Sequence, residues 1–187
     1  MAKSHKSLQG QLLLDGGKLH GSAFHRSVVL VCQHDPRGAF GLVLNQPTDK
    51  RLSDALDAEL PEVLQESLLY SGGPVQPSAM SFLHANPELV TGNVLKSLSL
   101  GHDLEELVAV GKEWSPQHQM RVFAGYAGWA PGQLDDEIRR DSWLLHPATV
   151  DLVFRLPPED LWRHLLRCRG DWQSRLLAES PEDLSWN

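Results

Sequence analysis

The stretch "SVVLVCQHDPRGAFGLVLN", residues 27–45, holds two short apolar runs, Ser27–Gln33 and Phe40–Asn45, on either side of "HDPRGA". Asp35-Pro36 initiates a turn, and Gly38 can take the positive φ that closes one. The β-branched character of the runs and their lack of strict alternation predict a β-hairpin of buried strands.

Further elements extend outward from this hairpin. "RLSDALDAEL" sets Leu52, Leu56 and Leu60 at helical spacing, with Pro61 as the stop. "SLLYSGGPV" reads as a strand entering a Gly-Gly-Pro turn, and "AMSFLHA" and "NVLKSLSL" read as two more strands. In "DLEELVAVG", Asp103 caps a helix with Glu106 three residues on, and Gly111 ends it. "MRVFAGYAG" is a strand running into glycines. Pro131 opens a helix with Leu134 and Ile138 on its apolar side. A last helix, "PEDLWRHLLRCRG", places Leu161, Leu165 and Cys168 together and closes at Gly170. Strands that come in pairs and groups, mixed with dispersed helices, predict an α+β fold and not a regular parallel βαβ array.

The chain has 187 residues, 41% hydrophobic and 22% charged, which suits a single domain with a sizeable core. Residues 1–9 read as a flexible N-terminal tail and 10–187 as one compact domain. No run approaches the ~20 apolar residues of a membrane helix, and "MAKSHKSLQG" leads into too short an apolar stretch for a secretory signal. A cytoplasmic protein with no membrane association is expected. Cys32 and Cys168 are far apart and read as buried thiols. A net charge of −7 argues against direct nucleic-acid binding.

The segment "GYAGWAPGQLDDEI", Gly125–Ile138, crowds glycines with Tyr126 and Trp129 at the end of a strand. Strand glycines admit another backbone or a ligand, because no Cβ intervenes. Gln133 and Glu137 are four apart and share a helix face. The glycine spacing matches neither a dinucleotide fingerprint nor a P-loop. On residue chemistry alone the cluster is either core packing or an aromatic platform beside polar donors.

"GYAGWAPGQLDDE", "SGGPV" (Ser71–Val75) and "SVVLVCQHDPRGAFGLVLNQP" (Ser27–Pro47) resemble the three ordered blocks of the YqgE/AlgH family of bacterial proteins, with His84 and Trp143 at expected places. Asp135 departs from the glutamate of that pattern. The resemblance covers nearly the whole chain. It implies a compact α+β domain whose mixed or antiparallel sheet is bent into a partial barrel and flanked by helices. It brings a transcriptional-regulator label for part of the family, no settled chemistry, and the expectation that the three blocks converge in space.

Other chemistries leave weaker signals. Cys32 and His34, two apart on a strand, would share a face, but no zinc-type spacing accompanies them. Ser71 precedes its glycines instead of lying between them as in a nucleophile elbow. No cofactor or metal is expected. The resulting expectation is a binding or regulatory module contacting an unknown protein partner or small ligand. Its surface would combine Asn45, Gly72, Gly73, Pro74, His84, Gly125, Tyr126, Gly128, Trp129, Gln133 and Glu137. An enzyme using the same cleft, with His84 or Glu137 as acid or base, and a transcriptional regulator are the alternatives.

Overall fold

The computed structural model describes residues 6–86, 92–115 and 117–181. The strands are β1 (Gln11–Asp15), β2 (Val28–Asp35), β3 (Gly38–Val43), β4 (Pro47–Arg51), β5 (Leu68–Ser71), β6 (Val75–Ala85), β7 (Leu98–Gly101), β8 (Gln119–Trp129) and β9 (Trp143–Pro147). The helices are α1 (Leu52–Ala55), α2 (Glu62–Gln65), α3 (Leu104–Lys112), α4 (Gln133–Arg139), α5 (Val150–Phe154), α6 (Pro158–Cys168) and α7 (Trp172–Ala178). The fold is α+β, as expected. The nine strands among the described residues form one mixed sheet, β4-β5-β8-β3-β2-β1-β9, with β6 branching from β8 and β7 paired to β6. The sheet does not close on itself, which fits a partial barrel. No described helix is long and apolar enough to cross a membrane.

The hairpin of residues 27–45 forms as expected, with Val29 opposite Val43 and Asp35 opposite Gly38. Its strands lack alternation because both faces are covered. Val28, Leu30, Cys32, Leu42 and Leu44 face a core shared with α5, α6 and α7. Val29, Val31 and Val43 face a second core with Trp129, Leu134 and Trp143. A third core, around Leu52, Leu64, Phe82, Leu107 and Val122, lies beneath α1–α3. A bulge between Val31 and Gln33 breaks the period of β2. Cys32 and His34 consequently do not share a face: Cys32 joins the first core, while His34 Nε2 lies 3.7 Å from Asp135 Oδ2 on α4.

Several local expectations are corrected. The helix over Leu52–Leu60 stops after one turn, because Leu56 is extended, and Pro61 opens α2 instead of ending α1. Gly111 lies inside α3, where a Cβ would come 2.7 Å from the Leu64 side chain, and the helix continues to Lys112. The strand expected in "NVLKSLSL" begins only at Leu98, because the Asn93 amide bonds both the N–H and the C=O of Leu100 and folds the preceding residues back. Pro131 sits in a turn before α4, which starts at Gln133. Cys32 is buried but Cys168 is exposed. Of the expected tail, residues 1–5 lie outside the described residues. Ser7 Oγ donates to the His34 carbonyl (2.8 Å), and the Leu8 N–H donates to His34 Nδ1 (3.0 Å).

Candidate functional site

The glycine-rich blocks meet because the chain crosses over β8. β5 runs parallel along one edge of β8, Leu69 to Ser71 pairing with Val122 to Ala124. β6 returns antiparallel, with Val75 opposite Tyr126. Between them Gly72 is held from both sides: its N–H donates to the Ala124 carbonyl and its carbonyl accepts from Val43, each at 2.9 Å. Gly73 then passes directly over β8. A Cβ on Gly73 would lie 2.3 Å from the Tyr126 carbonyl carbon, and one on Gly125 would lie 2.5 Å from the Gly73 oxygen. Gly125 itself, at φ +72°, supplies the kink in β8 at the crossing. The glycines therefore serve close approach of one backbone to another.

The aromatic residues separate into an inner and an outer set. Trp129 is buried, beside Phe24 and edge-on to Trp143 at 6.3 Å. Its indole N–H donates to Glu137 Oε2 at 2.9 Å, and the Trp143 indole donates to the same oxygen at 2.8 Å. Gln133 Nε2 donates to the other oxygen, Oε1, at 2.9 Å, while Gln133 Oε1 accepts the Ala130 N–H. The four-residue spacing read from sequence thus becomes one bonded unit fixing α4 to the end of β8. Tyr126, by contrast, is half-buried and stacks on Phe40 at 4.8 Å, and His102 packs edge-on to Phe40 at 5.5 Å. Exposed Gly128 lies against the Tyr126 ring, where a Cβ would come 3.1 Å from it, and Pro74 is exposed as well.

Asn45 braces its own strand end. Its Oδ1 accepts the Val28 N–H at 2.8 Å and its Nδ2 donates to the Arg26 carbonyl at 2.9 Å. The neighbouring 15–26 loop is organised by Asp15, which sequence reasoning missed. Its fully buried carboxylate accepts N–H bonds from Gly17, Leu19 and Arg26. An isolated aspartate at a strand end carries no spacing signal, so nothing in the sequence marked it.

His84 is not brought to this cluster. It pairs with Met120 at the opposite end of β8 from Tyr126, about 20 Å away at ~3.3 Å per residue. There it lines a cavity of about 150 Å³ with Glu113 and His118. Burial lowers its pKa below the ordinary 6.5; the carboxylate of Glu106 opposes this, and the charge of His118 adds to it, so the net shift stays downward. The unfolded chain then binds the proton first as pH falls. The stability associated with a neutral His84 is complete above pH ~6.5 and declines as pH drops toward the lower folded value. An NMR titration should place the His84 midpoint below 6.5, and His84→Gln should lessen the loss of stability on acidification. A midpoint at or above 6.5 would contradict this.

Residues 12–173 match a family model described as DUF179, AlgH-like. A UPF0301 protein of Chlorobium luteolum is 36% identical over 176 residues, covering 92% of this chain and 91% of that protein. A UPF0301 protein of Ralstonia pickettii is 37% identical over 184 residues, covering 93% and 94%. The solution structure of the AlgH protein from Pseudomonas aeruginosa superposes with a TM-score of 0.73 at 29% identity, over 98% of this chain and 100% of that one. A crystal structure of a Corynebacterium diphtheriae protein shares the fold, with a TM-score of 0.76 at 24% identity over 94% of each chain. The chain belongs to the AlgH-like family.

Proposed function

We propose that the protein is a cytoplasmic binding and regulatory module whose contact surface is the outer face of the β8 crossover, and that its ligand there is a protein partner. The observation that carries this reading is the division of groups at the site. Asn45 spends both ends of its amide on backbone, Glu137 accepts three hydrogen bonds, and Trp129 is buried. What stays partly exposed is the stacked Phe40–Tyr126 pair, which rests its inner side on the first core, together with Val75 and the exposed Pro74 and Gly128. A partly exposed aromatic pair on a backbone scaffold suits an interaction hot spot better than acid–base chemistry at Glu137, whose oxygens are engaged. The neighbouring hollow, about 260 Å³ beside Gln33, Asp35 and Trp129, is shallow, which favours a protein over a small ligand. A regulatory role would then act through this partner and not by direct contact with nucleic acid.

The test is capture of partners from nuclease-treated native extract with wild type and Tyr126→Ser, both checked for folding by circular dichroism. Hydrogen exchange is then measured on the reconstituted complex. Loss of the partner with Tyr126→Ser and protection confined to residues 73–76 and 126–130 are expected. Retention by the folded variant, or protection elsewhere, would overturn the assignment.

A further inference from the structure

A second site lies between β5, the start of β8, Trp114 and His118, and α5. Its cavity of about 390 Å³ is lined by Tyr70, Trp114, His118, Arg121 and Phe154 among others, and none of the described lining residues is acidic although the chain carries a net charge of −7. Arg121 is only 8% exposed. A guanidinium so buried ordinarily faces a carboxylate, because withdrawing an unpaired ion from water costs several kcal/mol. Here its contacts among the described residues are a hydrogen bond from Nη1 to the Leu44 carbonyl at 2.9 Å and two ring faces, Tyr70 at 4.4 Å and Phe154 at 6.0 Å. The rings supply part of the missing compensation. Burial lowers the Arg121 pKa, and the neighbouring Tyr70 offsets that shift only in part.

The Nε–H and Nη2–H edge, the edge that receives a carboxylate or phosphate side-on, has no protein acceptor among the described residues. The Tyr70 hydroxyl and the Trp114 indole N–H also donate to no described residue. His118 Nδ1 accepts the Ser115 N–H at 3.3 Å, so its neutral ring carries its proton on Nε2. The cavity thus collects hydrogen-bond donors, a guanidinium with no carboxylate partner among the described residues and aromatic walls, at a volume that admits a small molecule and not a polymer.

We propose that this cavity binds a small organic anion, a carboxylate or phosphate carried on a planar ring, with the oxyanion on the free edge of Arg121 and the ring among Trp114, Tyr70 and Phe154. The site is separate from the crossover face and stands or falls independently of it.

The full chain would be titrated with benzoate, phenyl phosphate and neutral benzamide by ¹H–¹⁵N NMR, reading the Arg121 Nε–H and the Trp114 indole, the latter assigned with Trp114→Phe. At least one anion is expected to shift both signals saturably, with benzamide at least tenfold weaker and affinity falling as salt rises. Arg121→Gln should weaken the anion at least tenfold. If that variant does not fold, the comparison of anion with benzamide on wild type decides alone. Benzoate against phenyl phosphate shows which oxyanion the site prefers. No saturable shift by either anion up to about 10 mM, equal binding of benzamide, or shifts that map elsewhere would each overturn the proposal.

Discussion

Gly73→Ala is expected to leave almost no folded protein, while Gly132→Ala should cost only about 1–2 kcal/mol, although both glycines have positive φ. At Gly132 a Cβ would meet nothing within 4 Å, so the substitution bears only the conformational penalty of φ +74°. At Gly73 the backbone is at φ +146°, and the Cβ would lie 2.3 Å from the Tyr126 carbonyl carbon, 2.4 Å from its oxygen and 2.5 Å from the Ala127 nitrogen. These are backbone atoms of a strand paired on both edges, so they have nowhere to move. Gly72→Ala meets the Gly125 oxygen at 2.2 Å and should behave similarly. The loss should exceed ~4 kcal/mol, a large share of the ~5–15 kcal/mol that holds a domain together. Soluble yield and urea unfolding of the two variants would check this. A Gly73→Ala protein within about 2 kcal/mol of wild type would show that the crossover can open.

The crossing also shows why much of the site was legible but its meaning was not. Gly72, Gly73 and Gly125 stand out in the sequence because they break two strands, but only the topology shows that they face each other. The Asp103 cap was readable from local chemistry, and its carboxylate does accept the N–H groups of Glu105 and Glu106. The hairpin was readable because its turn and its apolar runs agree. β4, "PTDKR", was invisible: it is an exposed edge strand of polar residues, held by pairing to β5 and not by burial. α5, five residues between Thr149 and Arg155, is too short to display a period. The spacing of Leu52, Leu56 and Leu60 was genuine but misleading. All three reach the third core, with an extended Leu56 between two short helices. His84 fits the family pattern but lies far along β8 from Tyr126, since ordered blocks in sequence carry no distance. Arg121 carried no local signal, because the absence of a partner is a property of the fold.

Glu137→Ala should destabilise the protein by about 3–5 kcal/mol and loosen its tryptophans. Two indole N–H groups, on residues only 7% and 3% exposed, would lose their shared acceptor. Each orphaned buried donor costs roughly 1–3 kcal/mol. Glu137→Gln retains an oxygen for the indoles but loses the exposed bond from Gln133, whose own oxygen is held by the Ala130 N–H, so a loss of only about 1 kcal/mol is expected, from that bond and the charge assistance of the others. Near-UV circular dichroism should change for Ala and barely for Gln. Adding Trp143→Phe removes one of the donors, so its cost combined with Glu137→Ala should be less than the sum of the two singles. This series separates the two roles open to the carboxylate. A clamp tolerates the amide, because the amide still accepts. A general acid or base does not, because the amide cannot exchange a proton at neutral pH. Partner binding preserved in Glu137→Gln and lost in Tyr126→Ser would assign Glu137 to holding the scaffold and Tyr126 to the contact. Binding or activity lost in a well-folded Glu137→Gln would instead require the carboxylate itself to act, and the three bonds it now accepts would have to open for it to do so.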